Sequence, residues 1–267
     1  MNSRYGRLIV LTVFISSLSA AAFAQATQTK PFEPQVGQPG KDVVWVPTPQ
    51  SLVNKMLDIA KLTPQDFLMD LGSGDGRTVI TAAKRGARAL GIEYNPDMVT
   101  LSQANAKKEG VSDRATFQRA DIFETDFSKA QVVTLFLLPT LNMKLRPSIL
   151  NMRPGTRIVS NTFTMEDWTP DETATVGDDC VSWCTALLWI VPAKVEGTWS
   201  VPGAGDLTLY QQFQMVTGSL GTAKISDGRL KGDEFSFSAN GAKYMGRVNG
   251  TTISGTVNGK PFTATKK

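Results

Sequence analysis

The segment Asp70–Arg77, with the sequence Asp-Leu-Gly-Ser-Gly-Asp-Gly-Arg, constrains the fold of this chain more than any other feature. Residues 67–69 before it are apolar, as in a short buried strand, and residues 78–84 after it have the spacing of a helix with one apolar face. Glycine at every second position lets the chain reverse sharply and approach a ligand closely, because no Cβ intervenes. A strand, a glycine-rich turn and a helix N-terminus in this order predict a site for a nucleotide-like ligand.

Strands and helices alternate from about residue 48 to residue 192. Helices are predicted at 48–62, 77–86, 95–109 and 141–150, and strands at 67–70, 89–93, 115–119, 132–138, 156–163 and 185–191. The unbroken apolar run of residues 132–138 is typical of a fully buried central strand. This alternation predicts an α/β domain over residues 42–192, with a Rossmann-like parallel sheet.

The pattern changes after Pro192, where glycine, threonine and serine become frequent and no helical periodicity remains. Residues 207–216 are predicted to form a strand and Asp227-Gly228 a turn. Asn-Gly pairs begin at Asn240, Asn249 and Asn258, each between segments of alternating polarity. Such pairs favour two-residue hairpin turns, because both turn positions need a positive φ. We therefore expect residues 193–267 to form a second, all-β domain, an antiparallel meander of about six strands that is closed or partly closed like a barrel.

The N-terminus has the pattern of a secretory signal peptide. Arg4 and Arg7 precede an apolar run at residues 8–18, and Ala22-Phe23-Ala24 fits a cleavage site. We expect residues 1–24 to be removed, residues 25–41 to form a flexible lead-in, and the mature protein to be periplasmic or secreted without a transmembrane span. The alternative is an uncleaved N-terminal anchor.

Composition excludes several kinds of site. The chain has no histidine, which rules out His-based triads and His metal ligands, and we expect no metal site. No run of Lys or Arg forms a basic stripe, so nucleic-acid binding is not expected. The two cysteines, Cys180 and Cys184, are predicted to form a disulfide in an exported protein, with a redox-active dithiol as the alternative.

The glycine spacing departs from the G-x-G-x-x-G of dinucleotide-binding sites, because Gly72, Gly74 and Gly76 alternate and Asp70 stands just before them. This pattern resembles the first motif of class I S-adenosylmethionine-dependent methyltransferases. The resemblance implies that main-chain groups of the turn approach the methionine part of the cofactor. It also implies that Asp70 binds the cofactor's ammonium group, directly or through water.

Two acidic positions downstream continue the resemblance. Glu93 ends the next predicted strand, and the resemblance implies that it binds both ribose hydroxyls of the cofactor. It also implies that Asp121 binds the exocyclic amine of adenine and that Ile122 packs on the face of the adenine ring. The residues assigned in this way to S-adenosylmethionine are Asp70, Gly72, Ser73, Gly74, Gly76, Glu93, Asp121 and Ile122, with Thr48 and Tyr94 as further candidates. Thr48 also has an alternative assignment as the N-cap of the first helix.

A narrower resemblance covers residues 42–192. The segments Val46–Pro49, Leu135–Pro139 and Leu145–Pro147 are similar to a bacterial methyltransferase group, which is related to the protein-lysine methyltransferases that act on the c-ring protein of ATP synthase. It implies N-methylation of a protein amine of the lysine type, with Leu138 and Pro139 beside the transferred methyl group. The C-terminal part resembles no family that we recognise.

Two other functions remain open from sequence. One is a binding protein that has this fold without catalysis, since an exported protein lies away from the cytosol where the cofactor is made. The other is an envelope interaction protein that works through its β domain. Trp168, Trp183 and Trp189 are expected to pack in the core or at its rim, with a cage for an amine substrate as the alternative. The sequence predicts neither the acceptor nor the oligomeric state.

Overall fold

A computed structural model describes residue 1 and residues 32–177 and 180–267. Apart from Met1, the predicted signal peptide lies outside the described residues, as does the first part of the predicted lead-in, residues 25–31. Residues 33–267 form one compact unit. Among the described residues, no helix combines the length and apolar character needed to cross a membrane.

The first half of this unit is a seven-stranded sheet with helices. Its strands are β1 (Phe67–Leu71), β2 (Arg88–Glu93), β3 (Ala115–Arg119), β4 (Val132–Leu135), β5 (Arg157–Asn161), β6 (Glu172–Thr175) and β7 (Thr185–Ile190), and its helices are α1 (Gln50–Ile59), α2 (Arg77–Lys84), α3 (Pro96–Lys108) and α4 (Pro139–Leu150). The strand order is β3-β2-β1-β4-β5-β7-β6. β1 to β5 are parallel, and β7 is antiparallel to both of its neighbours. This is the predicted Rossmann-like fold.

Helix starts follow from local sequence. Asn95 caps α3, because its side-chain oxygen accepts hydrogen bonds from the backbone N–H groups of Asp97 and Met98, as predicted. The predicted cap of α1 by Thr48 is wrong. Pro49 occupies the cap position without a side-chain hydrogen bond, while the Thr48 hydroxyl accepts a hydrogen bond from the Asn161 amide.

Two strand predictions differ from the structure. The predicted strand 132–138 ends at Leu135, and the chain then turns into α4, so that Leu138 is exposed instead of buried. Apolar character alone could not show this end, because residues 136–138 are as apolar as the strand before them. β6 was not predicted, since Glu172–Thr175 is a mostly exposed edge strand without an apolar face.

The second half is a closed antiparallel barrel of eight strands. They are β8 (Gly197–Val201), β9 (Gly205–Gln212), β10 (Met215–Leu220), β12 (Ser226–Lys231), β13 (Glu234–Ala239), β14 (Ala242–Asn249), β15 (Thr252–Val257) and β16 (Lys260–Lys266), with a short β11 (Ala223–Lys224) pairing outside the ring. Pairing of β10 with both β9 and β12 closes the ring. The barrel-like prediction is confirmed, with eight strands in the ring where about six were expected.

Details of the barrel turns differ from the sequence prediction. Asn240-Gly241 and Asn258-Gly259 have positive φ at both positions, as expected. At the third pair only Gly250 does, because Asn249 still belongs to β14 and pairs with Thr252. Asp227-Gly228, expected as a turn, lies inside β12 at a register shift, and the single strand expected over 207–216 is a hairpin that reverses at Phe213.

The barrel packs on the α/β half through the β9–β10 turn. The Trp168 indole N–H donates to the Gln214 side-chain oxygen at 2.9 Å, and the Gln214 amide donates to the Thr169 carbonyl at 2.7 Å. The Phe213 ring stacks on Trp168, with centroids 5.7 Å apart. Arg229 of β12 also donates to Asp171, whose side chain is nearly buried. A buried polar pair and a stacked ring therefore join the two halves.

Candidate active site

The glycine-rich turn connects β1 to α2. Gly72, Gly74 and Gly76 all have a positive φ, between 54° and 86°, a region that favours glycine. Space is also restricted: a Cβ on Gly74 would stand 2.7 Å from the Trp45 indole nitrogen, and a Cβ on Gly76 would stand 2.7 Å from the Phe117 ring. The alternating glycines thus satisfy both the backbone conformation and the packing of the turn.

Asp70 is the penultimate residue of β1 and is nearly buried, with 7% of its surface exposed. The Thr134 hydroxyl of the neighbouring β4 donates to its carboxylate at 2.6 Å. Burial raises the pKa of Asp70 to about 7, against the opposing effect of that hydrogen bond. A cationic group beside Asp70 would restore the ionised form, so this position fits the ammonium group of an amino acid.

Glu93 ends β2, the strand next to β1. Its two carboxylate oxygens accept backbone hydrogen bonds at 2.9 Å, one from Gly74 in the glycine turn and one from Asn95 at the start of α3. The carboxylate is therefore fixed between the turn and the helix. Tyr94, the next residue after Glu93, lines the cavity and is about half exposed.

Asp121 and Ile122 follow β3. One Asp121 oxygen accepts a hydrogen bond from the Phe123 N–H at 2.9 Å, and the other pairs with the Lys41 ammonium group, which lowers the pKa of Asp121. Lys41 also lies 5.0 Å from the centre of the Tyr94 ring. Ile122 is half-buried and lines the cavity.

The segment that carries Lys41 forms a short turn over the site, which we call the N-terminal turn, residues 37–45. Gly37 and Trp45 are joined by a backbone hydrogen bond, as are Trp45 and Gln38, and the turn contributes several cavity walls. This turn starts within the predicted lead-in. The sequence did not indicate its role, because its contacts are to residues far along the chain. The apolar residues Val43, Val44 and Trp45 were the sequence feature that could have indicated that this segment packs on the domain.

A cavity of about 250 Å³ opens where these elements meet, at the carboxyl ends of the parallel strands. It is the position where open α/β sheets bind their ligands. The predicted cofactor residues that line it are Thr48, Asp70, Gly72, Ser73, Gly74, Glu93, Tyr94, Asp121 and Ile122. Gly76 is absent from the described residues that line the cavity, and it shapes the turn from behind by packing on Phe117.

One end of the cavity is apolar and aromatic. Leu138 lines it with 43% of its surface exposed, as does Trp183 to the same extent, beside Phe136 and Phe163. Pro139 is the first residue of α4 and is not among the described residues that line the cavity. The predicted Cys180–Cys184 disulfide is present and encloses Trp183. Trp168 and Trp189, by contrast, are fully buried core residues.

The residues present fit S-adenosylmethionine. Asp70 would provide a buried acceptor for its ammonium group, and Glu93 would provide a fixed carboxylate for its ribose. The Ser73 hydroxyl is buried against Gly91 of β2 without a hydrogen-bond partner among the described residues. The described residues contain no group of three or more acidic or thiol side chains placed to hold a metal ion.

Comparison with known proteins agrees with this geometry. Residues 70–172 match the ANTKMT methyltransferase domain. A protein-lysine N-methyltransferase of Saccharolobus islandicus (strain REY15A) is 44% identical over 139 residues, which cover 51% of this chain and 86% of that protein. The lysine N-methyltransferase of Homo sapiens that is named for the c-ring protein of ATP synthase is 32% identical over 183 residues, which cover 67% of this chain and 75% of that protein.

A solved methyltransferase structure is also similar to this chain. It is described as an RNA methyltransferase from Salinibacter ruber in complex with S-adenosyl-L-homocysteine, and it shares 45% identity with this chain at a TM-score of 0.52. The match covers 56% of this chain and 96% of that one. The chain therefore belongs to the class I S-adenosylmethionine-dependent methyltransferases, in the family that contains these lysine N-methyltransferases.

Proposed function

We propose that this protein is an exported methyltransferase that transfers a methyl group from S-adenosylmethionine to a lysine amine of another protein. The observation that carries the proposal is the continuity of one cavity, which runs from the carboxylates of Asp70, Glu93 and Asp121 to the apolar end at Leu138. Cofactor and acceptor can therefore meet inside a single cavity.

Methyl transfer to an amine requires the protein mainly to position the two reactants. When bound, the cofactor supplies a methyl group on a cationic sulfur. The protein has to hold that end of the cofactor, exclude water and align an incoming neutral amine with it. No general acid is needed, which agrees with a chain that contains no histidine. Asp70 holds the methionine end at its ammonium, and Leu138 supplies apolar surface at the cavity end.

The choice of a protein lysine as acceptor is supported by the relatives. Both curated relatives reported above are named for lysine N-methylation, one of them for the c-ring protein of ATP synthase. The Salinibacter protein is described as an RNA methyltransferase, so RNA is the acceptor to test beside protein. A net charge of +4 without a run of basic residues gives little support for RNA.

Export is supported by residues outside the described part of the chain and by the cysteine pair. Residues 4–24 have the charge, apolar run and small residues of a signal peptide, and disulfides persist mainly in oxidising compartments. Cell fractionation with mass spectrometry of the N-terminus tests this. We expect a periplasmic or secreted product beginning near Gln25, and a cytosolic product that retains residues 1–24 would contradict export.

The activity is tested with the mature protein and methyl-labelled S-adenosylmethionine, offered separately to envelope proteins and to total RNA. We expect label on protein at lysine, identified by peptide mass spectrometry, and none on RNA. Glu93→Gln is the matched control, because it keeps the shape of the side chain and removes its charge. Binding of S-adenosylhomocysteine without label on any protein would favour the non-catalytic binding protein, and label on RNA alone would overturn the lysine acceptor.

A further inference from the structure

We propose that Trp183, together with Phe136 and Phe163, forms the wall of the channel that receives the acceptor's lysine side chain, and that the Cys180–Cys184 disulfide holds Trp183 in that position. The inference deepens the proposed function and rests on it. It assigns a substrate-binding role to a surface loop that follows β6, outside the glycine turn and the strand ends that hold the cofactor.

The three rings form one contiguous surface. Phe136 stacks on Phe163 with centroids 5.9 Å apart, and the edge of Trp183 meets Phe136 at 6.0 Å. All three line the same cavity as Asp70 and Glu93. Phe136 follows β4 and Phe163 follows β5, so two neighbouring strand ends carry the floor of this surface and Trp183 covers it from the loop before β7.

The loop is built to keep Trp183 in place. The backbone φ of Trp183 is +56°, a left-handed conformation that is costly for a bulky residue and is often found at functional sites. The disulfide closes a ring of the five residues 180–184 around it. Backbone hydrogen bonds from Cys180 to Gly177 and from Val176 to Cys184 tie this ring to the ends of β6 and β7.

An alkyl amine fits such a surface better than a polar acceptor. Aromatic faces pack along the four methylene groups of lysine and attract a cation through their ring quadrupoles, tryptophan most strongly. None of the three rings carries a formal charge that would repel an ammonium group. The wall would thus pack along the lysine side chain before transfer and retain the methylated cation that results.

Binding of three analogues of S-adenosylhomocysteine, measured by calorimetry, tests the inference without any knowledge of the acceptor. In each analogue nitrogen replaces the sulfur, and it carries a methyl group, a 2-(butylamino)ethyl tail or an n-heptyl tail. The second tail mimics a lysine amine and its methylene stem at the reacting position, and the third replaces that amine by a methylene. We expect the wild-type protein to bind the amine-tailed analogue at least about tenfold more tightly than the methyl analogue.

Trp183→Ala should reduce this gain by about fivefold, the change in Kd that corresponds to one cation–π contact of about 1 kcal/mol. Trp183→Phe should keep most of the gain, and Tyr210→Ala, which removes an exposed aromatic side chain on barrel strand β9, should keep all of it. The Cys180→Ser/Cys184→Ser double variant should lose part of the gain. Every variant should bind the methyl analogue as the wild type does.

The outcomes separate the two proposals. If the wild-type protein gains nothing from the amine tail, or gains as much from the heptyl tail, the lysine acceptor of the proposed function fails. If the wild type gains and Trp183→Ala keeps the whole gain, the acceptor stands and the role of Trp183 is overturned. Loss of methyl-analogue binding in Trp183→Ala would also overturn it, because Trp183 would then support the cofactor site. An unchanged gain in the double variant would overturn the role of the disulfide.

Discussion

The two halves of this molecule use glycine at positive φ in opposite surroundings. In the α/β half, a Cβ on Gly74 or Gly76 would collide with Trp45 or Phe117. In the barrel, a Cβ on Gly241, Gly250 or Gly259 would meet no atom within 4 Å. Glycine is therefore required for both its φ and its lack of a Cβ at Gly74 and Gly76, and only for its φ at these three barrel turns.

Burial of charge follows the same division. The barrel interior is filled by apolar and aromatic side chains, with Trp199, Phe235, Phe237 and Tyr244 at its centre. Beside the cavity of the α/β half, Asp70 is buried with no cationic partner among the described residues. Among the described residues, the barrel buries no charged side chain, whereas the α/β half buries the carboxyl group of Asp70 beside its cavity.

The largest effect is expected for Gly76→Ala. Its Cβ would stand 2.7 Å from the Phe117 ring and 2.9 Å from Ser102 Cβ, and its φ of 83° is unfavourable for alanine. Overpacking and backbone strain together should lower the free energy of unfolding by about 4 kcal/mol and weaken cofactor binding. Urea unfolding and calorimetry with S-adenosylhomocysteine measure both. A loss below about 1 kcal/mol would show that the turn relaxes as easily as a barrel hairpin.

Asp70→Asn should separate stability from binding. In the folded protein the pKa of Asp70 is about 7, against 3.8 for an ordinary Asp, so between pH 4 and 7 the folded state holds more protons than the unfolded state. The contribution of this group to stability is complete below pH 4 and is lost as the pH rises to 7. Asparagine has no charge to bury, and at pH 8 it should raise the free energy of unfolding by about 3 kcal/mol.

The same substitution should abolish binding of S-adenosylhomocysteine, because the ammonium group loses its carboxylate partner. In the wild type, the affinity should increase as the pH rises from 5.5 to about 7 and then level off, since only the ionised carboxylate pairs with the cation. Thermal unfolding from pH 4 to 8 and calorimetry over the same range provide the measurements. Unchanged binding by Asp70→Asn would remove Asp70 from the cofactor site.

The sequence was enough to predict that Asp70, Glu93 and Asp121 lie at one cavity, because the information for their positions is local. The strand, glycine turn and helix around Asp70 lie within one short segment, and Glu93 and Asp121 each end or follow a predicted strand. The parallel sheet then brings strand ends together without further specification. The role of Thr48 was harder to predict, because a threonine before a proline at a helix start is typical of an N-cap. The partner of its hydroxyl in the structure, Asn161, is 113 residues away in sequence.

Long-range contacts account for what sequence reasoning missed. The N-terminal turn becomes part of the cavity through Lys41 and Asp121, which are 80 residues apart, and no local pattern indicates such a pair. The end of β4 at Leu135 was hidden because the cavity wall that follows is itself apolar. In the barrel, Asn-Gly signals indicated the turns after β13, β14 and β15, whereas ring closure depends on the pairing of β8 with β16, in which Ser200 lies opposite Thr265 near the end of the chain.

A smaller effect is expected at the contact between the halves. Gln214→Ala removes the amide that accepts a hydrogen bond from the Trp168 indole N–H and donates one to the Thr169 carbonyl. Both of these groups then lose their hydrogen-bond partner. The free energy of unfolding should fall by about 2 kcal/mol, while S-adenosylhomocysteine binds as before, because neither group lines the cavity. Gln214→Glu keeps the acceptor for Trp168 but buries a carboxylate facing the Thr169 carbonyl, so at neutral pH it should lose at least as much. A weakened cofactor affinity would show that the barrel supports the site as well as the fold.

The smallest effect is expected for Gly241→Ala. The new Cβ has open space around it, so the only cost is the left-handed conformation, with φ at 72°, which amounts to about 1 kcal/mol for alanine. Gly241→Asn should cost less, because asparagine tolerates this region, as Asn240 and Asn258 do here. Urea unfolding of both variants beside Gly76→Ala measures packing and backbone strain separately. If Gly241→Ala were as harmful as Gly76→Ala, the backbone conformation alone would account for all these glycines, and close packing at the cofactor turn would add nothing.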